Sequence, residues 1–173
     1  MSMAIQIRRR AVELSFAALV AGVVVVSAQA QSAPPPAPGA GGPSPTKQAV
    51  ENRRAAYTLI GNSFRWFGGV AKGSIPYDEA EATKRAARIA FLSALPEENF
   101  PEGSNVGEPD SKAKPDIWSN RADFDKKLHD FQAHAAGLVE TNAKEKGATD
   151  AFKTAVAALG QDCKGCHDNF KAK

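Results

Sequence analysis

Both cysteines of this 173-residue chain stand within its last dozen residues, in the run Cys163-Lys164-Gly165-Cys166-His167. Two thiols separated by two residues allow four chemistries: a redox dithiol, half of a zinc site, a structural disulfide, or a double thioether anchor for haem. Only the last uses the histidine, because thioether bonds to the haem vinyl groups bring the adjacent imidazole under the porphyrin, within reach of iron. A redox pair belongs just after a strand, at a helix N-terminus whose dipole lowers the thiol pKa, and no strand pattern accompanies this one. A tetrahedral zinc site wants four ligands, and the remaining histidines, His129 and His134, sit five apart on a helical stretch and so point to different faces. A disulfide closing so small a loop would restrict the unfolded chain little.

The N-terminus bears on the choice. Arg8, Arg9 and Arg10 precede the apolar run LSFAALVAGVVVVSA, and Ala28-Gln29-Ala30 follows as a small-residue cleavage site. The run is about 15 residues, shorter than the roughly 20 that cross a bilayer, so residues 1–30 read as a secretory signal peptide cleaved after Ala30, with an uncleaved anchor as the alternative. Export to the periplasm is where haem is joined to thiols, so the leader and the CKGCH run support each other. Residues 31–46, QSAPPPAPGAGGPSPT, have no material for a core and read as a flexible or polyproline-type tether. That leaves residues 47–173 as one domain.

Charge excludes a class of partner. Removing residues 1–30 takes away three arginines and Glu13, leaving 19 basic against 18 acidic residues, a net of +1. Such a balance offers no phosphate-binding face, and nucleic acid is not expected as a partner.

The folded part must position the CKGCH run, and its periodicity is helical almost throughout. Val50, Tyr57, Ile60, Phe64, Phe67 and Ala71 follow steps of seven, three and four along one face of a first helix. A second helix starts after Pro76 with Asp78 as N-cap, and Ala80, Ala87, Ala90, Phe91 and Ala94 are expected to face inward. Phe124, Leu128, Phe131, Ala135 and Leu138 mark a third helix over about 120–142. Phe152, Val156, Leu159, Cys163, Cys166 and Phe170 mark a fourth over about 148–170, with both thiols toward the interior. The predicted fold is therefore an all-α antiparallel four-helix bundle with a long, proline-rich loop between the second and third helices, its end at Ile117-Trp118 tucked in.

In order and spacing, several segments are similar to one family: ENRRAAYTLIGNSF, GSIPYDEAE, LSALPEENF, KPDIWSNRADF and the terminal CKGCH. Together they resemble cytochrome c′, the class II cytochromes c, over residues 48–173. The resemblance implies one covalently attached haem c, held by thioethers to Cys163 and Cys166, with His167 as proximal iron ligand. It also implies Arg53 near the haem propionates, Tyr57 at the distal position, and Phe124 and Phe131 lining the haem from the third helix. Lys171 stands where many relatives place an arginine close to the proximal histidine. Pairing of two copies through the first two helices is implied in the same way.

The second axial ligand can be narrowed from the residues alone. The only methionines are Met1 and Met3, inside the leader, so methionine is excluded from the mature iron site. Tyr57 would have to lose its phenolic proton without an evident base, and His129 and His134 read as solvent-facing. The expectation is a five-coordinate, high-spin haem capped by Tyr57 that binds NO and CO and can pass single electrons to a redox partner protein. The competing expectation is a low-spin electron-transfer cytochrome with Tyr57 or a histidine as sixth ligand. Enzyme chemistry on peroxide would want a distal histidine with arginine, which the first helix does not offer, so the chain is read as a non-enzyme.

Overall fold

The computed structural model describes residues 42–173. The expected leader over 1–30, and the tether up to residue 41, lie outside the described residues.

Among the described residues four long helices carry the fold, and the local chemistry of their ends explains where they start. Helix α1 runs Pro45–Ala71, with proline at its first position and the Ser44 hydroxyl accepting from the Lys47 amide at 3.2 Å. It therefore begins inside the stretch read as tether. Helix α2 is Glu79–Ser93, and its N-cap is Asp78, whose Oδ1 accepts from the Glu81 amide at 2.7 Å. After a 3-10 turn over Leu95–Glu98 and a long connection, the short α3 (Asp116–Ser119) leads into α4, Arg121–Glu145. Lys146, in the left-handed region at φ 47, ends α4, and Thr149 caps α5, Asp150–Phe170. Helix α4 packs along both α2 and α5, α1 packs along α2, and the seam between α1 and α5 is the loosest between neighbouring long helices.

The end of the bundle away from the cysteines is closed by aromatics. Phe67 and Phe152 are fully buried with ring centroids 5.9 Å apart, and Tyr77 meets Phe152 edge-on at 5.6 Å. The Tyr77 hydroxyl donates to Oδ1 of the buried Asn142 at 2.8 Å, and the Asn142 amide donates to the Thr83 hydroxyl at 3.2 Å. This chain ties the start of α2 to the end of α4 and satisfies a polar group that would otherwise be costly to bury.

One expectation is corrected here. On α2 the inward residues are Ala82, Ala86, Ile89, Leu92 and Ser93, whereas Ala80, Ala87 and Ala94 are exposed and Phe91 is 73% exposed. Alanines lie on both sides of this helix, so spacing alone left the face undecided; burying Ile89 and Leu92 together settles it, since their larger apolar areas outweigh those of the alanines. Ile117 is buried as expected, and the Trp118 ring nitrogen donates to the Pro101 carbonyl at 3.0 Å, so the end of the connection is tucked in.

Truncating Phe152 to Ala should cost about 3–5 kcal/mol, because it opens a cavity between Phe67 and Tyr77. Urea unfolding followed by circular dichroism checks this, and a loss below about 1 kcal/mol would show that the closed end can collapse around the gap.

Candidate functional site

Near Phe64 the seam between α1 and α5 is tight. A Cβ added at Gly160 would lie 3.3 Å from the Phe64 ring, so the absence of a side chain lets the aromatic lie against α5. Toward the C-terminus of α5 the two helices enclose a cavity of about 550 Å³, within the range of ~300–1,000 Å³ typical of cofactor sites. Phe64 of α1, Phe124, Leu128 and Phe131 of α4, and Phe170 of α5 make its apolar walls. Phe100 and Phe170 both stack edge-on against the buried Phe124, with centroids 4.8 and 5.4 Å away, and hold that wall rigid.

All eight residues expected to form the site line this one cavity: Arg53, Tyr57, Phe124, Phe131, Cys163, Cys166, His167 and Lys171. Cys163 and Cys166, three apart on α5, share a face of the helix. Burial pushes the Cys163 thiol above its ordinary range, with Asp162 adding to the effect, and burial followed by the Cys163 charge pushes Cys166 up to about 11. Both thiols are thus neutral and far from the acidified pair a dithiol oxidoreductase needs. Among the described residues no three or more His, Cys, Asp and Glu side chains are grouped so as to hold a metal ion. His167 is held below its ordinary value, first by burial and then by the Lys171 charge, with Asp168 opposing. A neutral imidazole is the form that binds iron.

Tyr57 lies on the α1 wall, and burial, reinforced by Cys166, raises its phenol above the usual tyrosine range despite the nearby Arg53. One turn on, Gly61 lines the same wall, and a Cβ there would meet nothing within 4 Å. The α1 wall therefore carries a gap between Tyr57 and Phe64.

Arg53 is 4% exposed, and its guanidinium spends its hydrogen bonds on the long connection. Nη1 donates to the Asn99 carbonyl at 2.9 Å and the Ser104 hydroxyl at 2.7 Å; Nη2 donates to the Ser104 carbonyl and the Ser111 hydroxyl, both at 2.8 Å. The cation also lies 4.6 Å from the Phe100 ring centroid. All these acceptors are neutral oxygens, and desolvation lowers the guanidinium's affinity for its proton, with Tyr57 and Glu108 opposing. A buried cation facing a cavity without a bonded carboxylate fits an anionic ligand group there.

Beyond Ser111 the connection pairs with the chain's last residues. The Lys114 amide donates to the Phe170 carbonyl at 2.9 Å, and the Ala172 amide donates to the Lys112 carbonyl at 2.8 Å, around an antiparallel bridge of Ala113 with Lys171. Lys112 and Ala113 thereby join the lining, as Phe100 does from the start of the connection, although nothing in the irregular connection's sequence marks them. His129 and His134 are exposed and outside this lining. His134 Nδ1 lies 2.7 Å from Asp162 Oδ2, and His129 Nε2 lies 3.9 Å from Glu97 Oε1.

An apolar slot, two neutral thiols on one helix face, a neutral imidazole one residue on and a buried cation together fit a covalently anchored haem with its carboxylates.

A family described as Cytochrome C' matches residues 48–171. Cytochrome c' of Rubrivivax gelatinosus is 38% identical over 126 residues, covering 72% of this chain and 95% of that protein. Among solved structures, cytochrome c prime from Shewanella frigidimarina superposes with a TM-score of 0.68 at 39% identity, over 74% of this chain and 97% of that one. A ferrous variant of cytochrome c prime from Alcaligenes xylosoxidans with bound NO gives 0.67 at 32% identity, over 76% and 99%.

Replacing Arg53 by Leu should free the connection while leaving the four long helices in place. Expected are a stability loss of roughly 2–4 kcal/mol, from four lost charge-assisted hydrogen bonds and orphaned acceptors, and faster limited proteolysis within residues 102–110. Unchanged proteolysis would show that the connection holds without the arginine.

Proposed function

The chain belongs to the cytochrome c′ family and is a c-type haem protein of that type; from this premise we propose that it is a periplasmic gas-binding cytochrome that takes NO and CO on a five-coordinate, high-spin haem. In this reading Cys163 and Cys166 hold the haem thioethers, and His167 supplies the proximal imidazole. The observation that carries it is the meeting of these three residues with Arg53, Tyr57, Phe124 and Phe131 on one apolar cavity. Bound there, haem c supplies a redox-active iron able to take a neutral diatomic molecule as axial ligand.

The chain's own residues leave the distal side without a strong ligand. Methionine is absent after Met3, both other histidines lie outside the cavity lining, and the buried phenol of Tyr57 resists ionisation. The gap at Gly61 gives a small ligand room on the same wall. Tyr57 caps the site and can donate a hydrogen bond to a bound molecule. Arg53 would neutralise the haem propionates while it holds the connection beside the cavity, and Lys171 adds to the burial that lowers the His167 pKa. With no histidine but His167 on the lining and the donors of Arg53 committed to the connection, the site lacks the acid–base pair that peroxide chemistry uses, so we assign binding and single-electron transfer rather than turnover. Residues 1–30 act as the export signal in this proposal, and the tether ends before α1 begins at Pro45.

The face of α1 and α2 away from the core supports a homodimer. Arg85 over the Trp66 ring and Arg53 on Asn99 tie α1 antiparallel to α2 and the turn after it, and Leu59 of α1, Phe91 of α2 and Leu95 of that turn stay outside the core. These three side chains are 47%, 73% and 40% exposed, an apolar surface that a second copy would cover.

The absorption spectrum of the periplasmically expressed protein, oxidised and dithionite-reduced, tests the main reading. Expected are broad high-spin bands, a large shift on adding CO or NO, and haem that stays with the protein through acid–acetone extraction but is lost from it in Cys163→Ala/Cys166→Ala. Sharp bands unmoved by CO would overturn the five-coordinate assignment in favour of Tyr57 or a histidine on iron. For the dimer, Phe91→Glu should halve the mass measured by light scattering and leave the spectrum unchanged; an unaltered mass would move the interface elsewhere.

A further inference from the structure

Charge is nearly balanced over the chain, yet it is not evenly spread around the cavity. Among the described residues six cations line it, Arg53, Arg54, Arg65, Lys112, Lys127 and Lys171, against a single carboxylate, Asp162, which is already paired with His134. They come from four separate segments: α1, the long connection, α4 and the tail after α5. Arg54, Arg65, Lys112 and Lys171 are exposed and form a solvent-facing collar, whereas Lys127 is half-buried and Arg53 buried. Two of them have partial counter-charges outside the cavity, Arg54 with Asp110 at 3.1 Å and Lys127 with Asp123 at 3.9 Å. The Arg54–Asp110 pair is solvent-exposed and such pairs are weak, so it leaves the local field positive. Haem propionates neutralise part of this charge, and Arg53 is positioned for that; the outer collar is in excess of it.

We infer that this collar is the docking surface for an acidic electron-transfer protein, which presents its carboxylates to Arg54, Arg65, Lys112, Lys127 and Lys171 around the haem edge. The inference rests on the haem assignment above and names the kind of redox partner that the site takes. A ring of like charge at the mouth of a low-dielectric slot orients an oppositely charged protein and raises its encounter rate. A single electron passes from the partner's reduced cofactor to the ferric haem, which becomes ferrous, and the partner's cofactor is oxidised by one electron. The collar positions the partner and forms no bond.

The test uses the haem-loaded protein and an acidic flavodoxin as probe. Binding of oxidised flavodoxin to the immobilised protein is measured by surface plasmon resonance, and reduction of the ferric haem by flavodoxin hydroquinone is followed by stopped flow. Between roughly 20 and 300 mM salt, both affinity and rate should fall at least about tenfold. At low salt, Arg54→Glu/Arg65→Glu/Lys112→Glu should weaken binding by a factor of about ten or more, with the helical circular dichroism retained. Wild-type affinity in the charge-reversed protein overturns the proposal. So does a wild type that fails to bind flavodoxin while charge reversal slows its oxidation by ferricyanide, because the collar would then serve small anions. The binding signal needs no haem absorbance, so a protein without covalent haem would sink the haem assignment separately from the docking surface.

Discussion

A guanidinium buried at 4% exposure, with only neutral oxygens for partners, determines how the open end of this bundle is built. Burying a cation costs several kcal/mol unless every donor is met, and the acceptors that meet Arg53 all come from the connection between α2 and α3. That requirement turns a proline-rich stretch with no repeating pattern into an ordered cover. The cover carries on to the chain's end, since residues 112–114 pair with 170–172 and hold the tail beside His167. Helix α1, the connection and the last turn of α5 thus form one linked frame around the cavity.

Packing at the other end gives that frame its shape. Phe67 on Phe152 and Phe64 against Gly160 bring α1 and α5 together, so the two helices can enclose a slot only beyond that point, toward Arg53 and Cys166. The slot's chemistry follows from its apolar walls. Desolvation keeps the two thiols and the Tyr57 phenol protonated, while the more exposed His167 is lowered by its partial burial and by the Lys171 charge. The surrounding cations sit where water returns, at the rim.

Much of this was legible in the chain. The stripes through Ile60 and Phe67, through Phe124 and Leu138, and through Phe152 and Leu159 gave three core faces correctly, because one turn of helix brings every third or fourth residue to the same side. Asp78 was readable as a cap for a local reason, its side chain reaching an amide three residues on. Helix α2 misled, since small residues on both of its sides carry little area with which to choose, and Phe91 pointed to the wrong one. Phe100, Lys112 and Ala113 gave no signal at all, as a connection without a period has no face to read.

The sequence by itself determined the CKGCH run, the absence of methionine after Met3, and the helical periods, all of them properties of residue type and short spacing. Only the tertiary structure decided that Arg53 bonds the connection while it lines the cavity, that α2 leaves Phe91 outside, and that cations from four segments line one cavity. The physical reason is range. Caps, stripes and thiol spacing act within a turn or two of helix, whereas desolvation, aromatic closure and the summed field of distant charges exist only once residues far apart in the chain are packed together.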